Sequence, residues 1–249
     1  MAKKRVSVSL RQPPPIHRGR SRLITQVESH PENAVSRWLR ALEYREQQPG
    51  VFDPAVRTRR APVLFNGYFQ HEQYFADAAD AVVSDFRPAP PAVADFLGGL
   101  DRRLGAHGPT MAVVVRAGAD YQVLGWVLPP AWYRDAVELA AERVGSPRFV
   151  VFSDVPRAAE AMADTLRDVG PATSAACLDP VSQLHLIGRL DNAVVCDSSF
   201  AWWGAWLGDY RAGFSPDRLV VVPDPWLPSD LAATPARWTR VPVSTSATS

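Results

Sequence analysis

Sulfur is scarce in this chain of 249 residues, which has two cysteines and three methionines. Two cysteines cannot form a disulfide framework, and no metal-ligand spacing surrounds them. Cys177 and Cys196 lie in apolar or strand-like stretches and read as buried thiols in a reducing compartment. An excess of one charge is missing as well: 27 basic residues face 26 acidic ones, so no net field marks nucleic acid as the main partner, although basic residues collect in the first sixty positions. No uninterrupted apolar run approaches the ~20 residues a membrane helix needs. Lys3, Lys4 and Arg5 are not followed by a signal-peptide core. These absences point to a soluble, cytoplasmic protein. Peripheral attachment to a membrane through the basic, tryptophan-containing N-terminal part stays open. No repeat of solenoid type is visible.

Proline is plentiful, and it divides the chain. Residues 1–21 carry Pro13-Pro14-Pro15 with many charges and few large apolar residues, the composition of a mobile arm. From Glu32 to Arg45, Ala34, Val35, Trp38, Leu39 and Leu42 recur at three- and four-residue steps, which predicts an amphipathic helix ending before Pro49-Gly50. A short strand at Pro62 to Phe65 leads into Asn66-Gly67-Tyr68-Phe69-Gln70 and a helical stretch with Tyr74, Phe75, Ala78 and Val82. A Pro-rich connector, Arg87 to Pro91, closes this part.

From Thr110 onward, continuous apolar runs alternate with amphipathic helices, the signature of a parallel sheet covered on both faces. Strands are expected at Met111 to Val115, Phe149 to Phe152, Ala193 to Cys196 and Leu219 to Val222, and helices at Pro130 to Val144, Pro156 to Asp168 and Pro180 to Leu190. The expected organisation is an arm at 1–21, a reduced N-terminal α/β domain at 22–107, a Rossmann-like domain at 108–240 and a flexible tail at 241–249.

In open parallel sheets ligands bind beyond the carboxyl ends of the strands. Three such edges stand out. After Val115 comes Arg116-Ala117-Gly118-Ala119-Asp120-Tyr121, which presents a permanent positive charge on a tight turn, suited to a diphosphate or to pairing with Asp120 or a neighbouring acid. After Phe152, Ser153 and Asp154 precede Pro156; they either cap a helix or contact a nucleoside. After Cys196, Ser198 and Ser199 open a helix with Phe200 and three tryptophans in five residues, Trp202, Trp203 and Trp206. Backbone donors, helix dipole and hydroxyls converge there on an anion, although a serine cap before a buried helix has the same pattern. A cation and an anion-binding helix start at one sheet edge are what a pyrophosphate leaving group requires. Asp120 is the nearest carboxylate to act on an acceptor hydroxyl.

These residues resemble the α-1,2-fucosyltransferases of glycosyltransferase family 11. The family's His-x-Arg-Arg-Gly-Asp-Tyr is similar to Val114 to Tyr121, and its Leu-Pro-x-x-Tyr-Tyr to Leu128 to Tyr133. Its Phe-x-Val-Phe-Ser-Asp-Asp strand is similar to Phe149 to Asp154. The most specific match is Ser198 to Leu207, followed by Val220-Val221-Val222-Pro223 and Trp226, while Gly67 to Phe75 resembles a segment ahead of the donor domain. The resemblance implies a GT-B-like fold, inverting transfer of fucose from GDP-fucose to a glycan or glycolipid hydroxyl, and no cofactor or metal. By position it implies that Arg116 holds the β-phosphate, that Ser198, Ser199 and Phe200 close around the same phosphate, and that Asp154 lies near the nucleoside; Gly118 and Ser153 join these as donor-side candidates from their places in the strand-end loops. Gln183 stands where related enzymes have an aspartate that helps recognise guanine. Val114, Ala117, Ala119 and Val155 depart from the pattern, and the family's Gly-Gly-Leu-Gly-Asn-Gln loop has no match in the first sixty residues. Those departures leave two alternatives: a non-catalytic nucleotide-sugar- or glycan-binding remnant of the fold, and a transferase with another nucleotide-sugar donor.

Overall fold

The computed structural model describes residues 42–59, 63–86, 88–226 and 234–243. The expected arm, the larger part of the Glu32 to Arg45 helix and the chain after Val243 lie outside the described residues. Where that helix can be compared it is a strand: β1 (Glu43–Arg45) pairs in parallel with β2 (Leu64–Asn66), with Tyr44 opposite Phe65. Tyr44 is buried against the rings of Phe65 and Phe69, so tertiary packing overrides the helical period of its neighbours.

The remaining strands form one sheet: β3 (Thr110–Val115), β4 (Arg148–Ser153), β5 (Ala172–Ser174), β6 (Asn192–Val195), β7 (Val220–Asp224) and β8 (Thr239–Pro242). Every pairing is parallel and the order is β5-β4-β3-β6-β7-β8. Relabelled in chain order within the sheet this is 3-2-1-4-5-6, the order of the Rossmann dinucleotide-binding sheet. Every residue of β3 and β4 is buried, as expected for strands covered on both faces. The four strands foreseen in the sequence are present with ends shifted by one or two residues, while β5 and β8 were not foreseen. Both are edge strands of three or four residues, β5 with one buried side chain and β8 with one, so neither leaves a run of apolar residues to read. The sheet also extends to Pro242, beyond the boundary at 240.

The helices are α1 (Ala55–Thr58), α2 (Ala79–Asp85), α3 (Pro91–Gly98), α4 (Leu100–Leu104), α5 (Ala119–Leu124), α6 (Pro130–Val144), α7 (Pro156–Leu166), α8 (Pro180–Ile187) and α9 (Ser199–Arg211). Proline at the first turn starts α3, α6, α7 and α8, where its missing N–H costs no helical bond. The stretch around Tyr74 is not one helix but two short 3₁₀ turns, Glu72–Tyr74 and Ala76–Ala78, ahead of α2. Val83, Val93, Phe96, Leu100 and Leu104 enter the same buried cluster as the sheet, so the segment before Thr110 completes the core of the sheet domain.

α9 holds these layers in register. A Cβ on Gly204 would lie 2.7 Å from Ile187 Cγ2, which shows how closely α8 and α9 approach. Asp209 accepts from Arg218 Nε at 3.0 Å, from Arg237 Nε at 2.7 Å and from Trp238 Nε1 at 2.7 Å, which links the helix to the approaches of β7 and β8.

Candidate functional site

The chain runs outward from β3 through β4 to β5, then returns to the centre and runs through β6 to β8, so the connection direction reverses between β3 and β6. The loops leaving the carboxyl ends of those strands part there and leave a crevice. Arg116 leaves β3, and Asp197 with Ser198 leaves β6, on the two sides of that reversal. A cavity of about 340 Å³ opens at this point, walled by Val114, Val115, Phe152, Ala176, Leu178 and Pro180. Arg116, Ser153, Asp154, Gln183, Ser198 and Phe200 also line it.

Arg116 is held on three sides. Its Nη2 meets Asp120 Oδ2 at 2.5 Å, its Nη1 meets Asp154 Oδ2 at 2.9 Å, and the guanidinium lies 4.9 Å above the centre of the Tyr121 ring. Its Nε–H is buried with no hydrogen-bond partner. The pairing of Arg116 with Asp120 weighed in the sequence therefore occurs, with Asp154 as a second partner. A Cβ on Gly118 would lie 2.8 Å from Asp120 Oδ1 and closer still to Asp154, so glycine there lets both carboxylates close on the arginine. Gly118 itself does not line the cavity. Desolvation opposes ionisation of Asp120, but the Arg116 hydrogen bond and the backbone N–H of Tyr121 outweigh it and hold the carboxyl below its ordinary range.

Capping does not account for Ser153 and Asp154. Val155 is the N-cap of α7 and its side chain makes no capping bond. Asp154 Oδ1 instead accepts from the Ala117 N–H at 2.9 Å, while Ser153 Oγ accepts from the Val155 N–H at 3.1 Å. Asp154 thus fastens the β3 loop to the end of β4. Gln183 is buried and its amide donates to the Leu178 carbonyl at 2.8 Å, which fixes it on the cavity wall.

Ser198 is the N-cap of α9, yet its hydroxyl makes no capping bond. Its carbonyl accepts the Trp202 N–H at 2.8 Å, and among the described residues no side chain takes the hydroxyls of Ser198 or Ser199. Helix start, dipole and free hydroxyls are thus available together. Phe200 lines the same cavity as Ser198, whereas Ser199 turns to a separate pocket on the other side of the turn. Asp120 and Ser199 are therefore not brought into the cavity with the others.

Sequence reasoning passed over Asp197. It is buried, and neither carboxylate oxygen has a hydrogen-bond partner. Burial pushes its carboxyl up to about 6. Tyr121 donates its hydroxyl to the Asp197 carbonyl at 3.0 Å, which joins the loop after β3 to the loop after β6. The signal was present in its position at the end of an apolar run, but the adjoining serines drew the assignment. Cys196 is buried beside it, whereas Cys177 is exposed and both thiols are free; the expectation of a buried Cys177 fails because it lies in the loop beyond the short edge strand β5. Among the described residues no group of three or more His, Cys, Asp or Glu side chains is placed to hold a metal ion, and no helix is long and apolar enough to cross a membrane.

A doubly wound parallel sheet with an arginine and a helix start at its switch point has the arrangement in which open α/β sheets bind their ligands. Two glycosyltransferases are among the known proteins to which the chain is similar. The chain is 27% identical over 100 residues to the O-antigen biosynthesis glycosyltransferase WbnK of Escherichia coli, a match covering 40% of this chain and 32% of that protein. It is 23% identical over 201 residues to an alpha-1,2-colitosyltransferase of Escherichia coli, covering 73% of this chain and 63% of that protein. The matches thus span about a third and under two thirds of the lengths of these relatives. A crystal structure of POFUT1 in complex with GDP overlaps 52% of this chain and 45% of its own at 12% identity and a TM-score of 0.37, too loose to carry an argument. No protein-family model matches the chain.

Proposed function

We propose that the cavity between β3 and β6 binds the diphosphate and nucleoside of GDP-fucose, and that the protein transfers fucose to a glycan hydroxyl with inversion, in a GT-B-like frame and without a metal. The observation that carries this reading is the meeting of Arg116 with the uncommitted Ser198 hydroxyl and the start of α9 at the switch point of the sheet. Arg116 and the helix start neutralise the charge that grows on the β-phosphate as its bond to the sugar breaks. The apolar wall of Val114, Phe152 and Leu178 suits a nucleoside face. The guanidinium has five N–H donors and one carboxylate at each terminal nitrogen, so a phosphate oxygen takes a remaining N–H or displaces one carboxylate. Asp120 lies outside the cavity, so where the phosphate displaces it from Arg116 it must turn toward the attacking hydroxyl to accept the proton. Similarity to an α-1,2-colitosyltransferase supports the linkage and leaves the transferred sugar as the least constrained part of the donor.

A second reading, a nucleotide-sugar-binding protein that does not catalyse, is favoured by the closed state of Arg116, both of whose terminal nitrogens are already ion-paired. GDP release from GDP-fucose over a panel of glycan acceptors separates the two. The transferase reading expects acceptor-dependent release that falls about 10²- to 10³-fold in Arg116→Ala, the scale of losing one preorganised charge-stabilising donor. Release that is unchanged in that variant contradicts the role given to Arg116, and GDP binding without release on any acceptor selects the second reading.

A further inference from the structure

A second pocket, of about 90 Å³, lies on the far side of the α9 start, lined by Tyr68, Gln70, His71, Ser199, Trp203 and Trp226 among others. We infer that it seats the acceptor: a pyranoside whose flat C–H face rests on its aromatic rings while its hydroxyls meet Gln70, His71 and Ser199. The inference rests on the donor reading of the neighbouring cavity.

Position supports it first. Ser198 and Phe200 line the donor cavity and Ser199, between them, lines this pocket, so a single turn of backbone separates the two. A pyranoside seated here neighbours the donor cavity, and transfer in one displacement requires its hydroxyl to reach past that turn to the donor sugar.

The pocket is also built, not incidental. Glu46 accepts the N–H groups of Tyr68 at 2.7 Å and Phe69 at 3.1 Å, pinning the loop after β2. Phe69 is held at φ 49°, a left-handed conformation that costs energy for a side chain of this kind. Its ring is clamped by Tyr44, Phe65 and Tyr74, and this turn leaves Tyr68 80% exposed at the pocket's rim. On the opposite wall Trp203 is fixed against Phe75, ring centres 5.1 Å apart, and Phe75 in turn against Trp206. A rigid aromatic floor with an exposed tyrosine edge suits a sugar ring, which has one face of C–H bonds and a rim of hydroxyls.

The polar groups are of the right kind. Desolvation lowers the pKa of His71 and keeps the imidazole neutral, and Nδ1 accepts the Gln73 N–H at 3.2 Å, so Nε2 carries the hydrogen and donates. Among the described residues the Gln70 amide and the Ser199 hydroxyl have no protein partner and can donate or accept.

Saturation-transfer NMR on the full chain tests this, with a panel of methyl pyranosides and the protein saturated with GDP. The expected result is transfer from the aromatic protons to the C–H protons of one sugar face. In Tyr68→Ala the apparent pyranoside affinity should fall about 5- to 10-fold, the scale of one lost aromatic contact, with the GDP-induced thermal shift unchanged. Because Tyr68 is exposed, this variant keeps its packing. A His71→Ala variant should weaken pyranoside binding similarly by removing the donor. Equal saturation in parent and both variants, or no pyranoside bound by the GDP-loaded protein, overturns the inference. Absence of a GDP shift in the parent protein counts instead against the donor reading, and pyranoside binding lost in the variants would then still assign this pocket.

Discussion

Asp197 shows how one side chain at the switch point is set by its surroundings. An isolated aspartate at the end of a strand would ionise freely, but here burial raises its pKa from an ordinary 3.8 to about 6. The folded chain therefore binds the proton more tightly than the unfolded one, and stability falls as pH rises from about 4 to about 6, then levels off. The two-unit rise corresponds to about 3 kcal/mol. Asp197→Asn imitates the protonated form, so it should be more stable than the parent at pH 8 by up to that amount and equal to it near pH 4. Thermal melts of both proteins across this range check the sign, and parallel pH profiles would contradict it. That Arg116, Ser198 and Phe200 share one cavity was legible because strand-end position and residue type coincide in them. Asp197 and the second partner of Arg116 were not, because the approach of Asp154 to the β3 loop spans 37 positions of sequence and depends on the glycine at 118.

Among the elements, α9 has the most demanding surroundings. Its tryptophans face the segment after β2: Trp206 donates to Glu72 at 3.2 Å, and Phe75 packs on all three tryptophan rings. Its small residues face α8, so Gly204→Val should push against Ile187 and destabilise the fold by about 1–3 kcal/mol, read as a lower denaturation midpoint at unchanged slope. A midpoint equal to the parent's would mean the two helices separate without cost. The long helices and central strands were legible because each carries a full period of buried residues. α3 and α4, β5 and β8 were not. Each is short, and β1 runs against the period of its own apolar neighbours because Tyr44 is captured by rings more than twenty residues away.

At the scale of the molecule, the 3-2-1-4-5-6 sheet order brings three strand ends that are remote in sequence to one crevice. The separate edges read in the sequence, at Arg116, Asp154 and Ser198, thereby become one cavity, and the segment from Gly67 to Phe75 is packed against the opposite side of the same helix. Parallel runs were legible from composition; their order was not, since no local pattern records which strand lies beside which. The donor proposed for this cavity is a guanosine diphosphate sugar. Thermal-shift titrations with GDP, GDP-fucose, GDP-mannose and UDP-sugars at one concentration test it. Stabilisation by the guanosine ligands should rise with their concentration, to about 2.7 kcal/mol at one hundred times the Kd, and be lost in Arg116→Ala; the absence of any stabilisation by a guanosine nucleotide would rule out the donor proposed for this cavity.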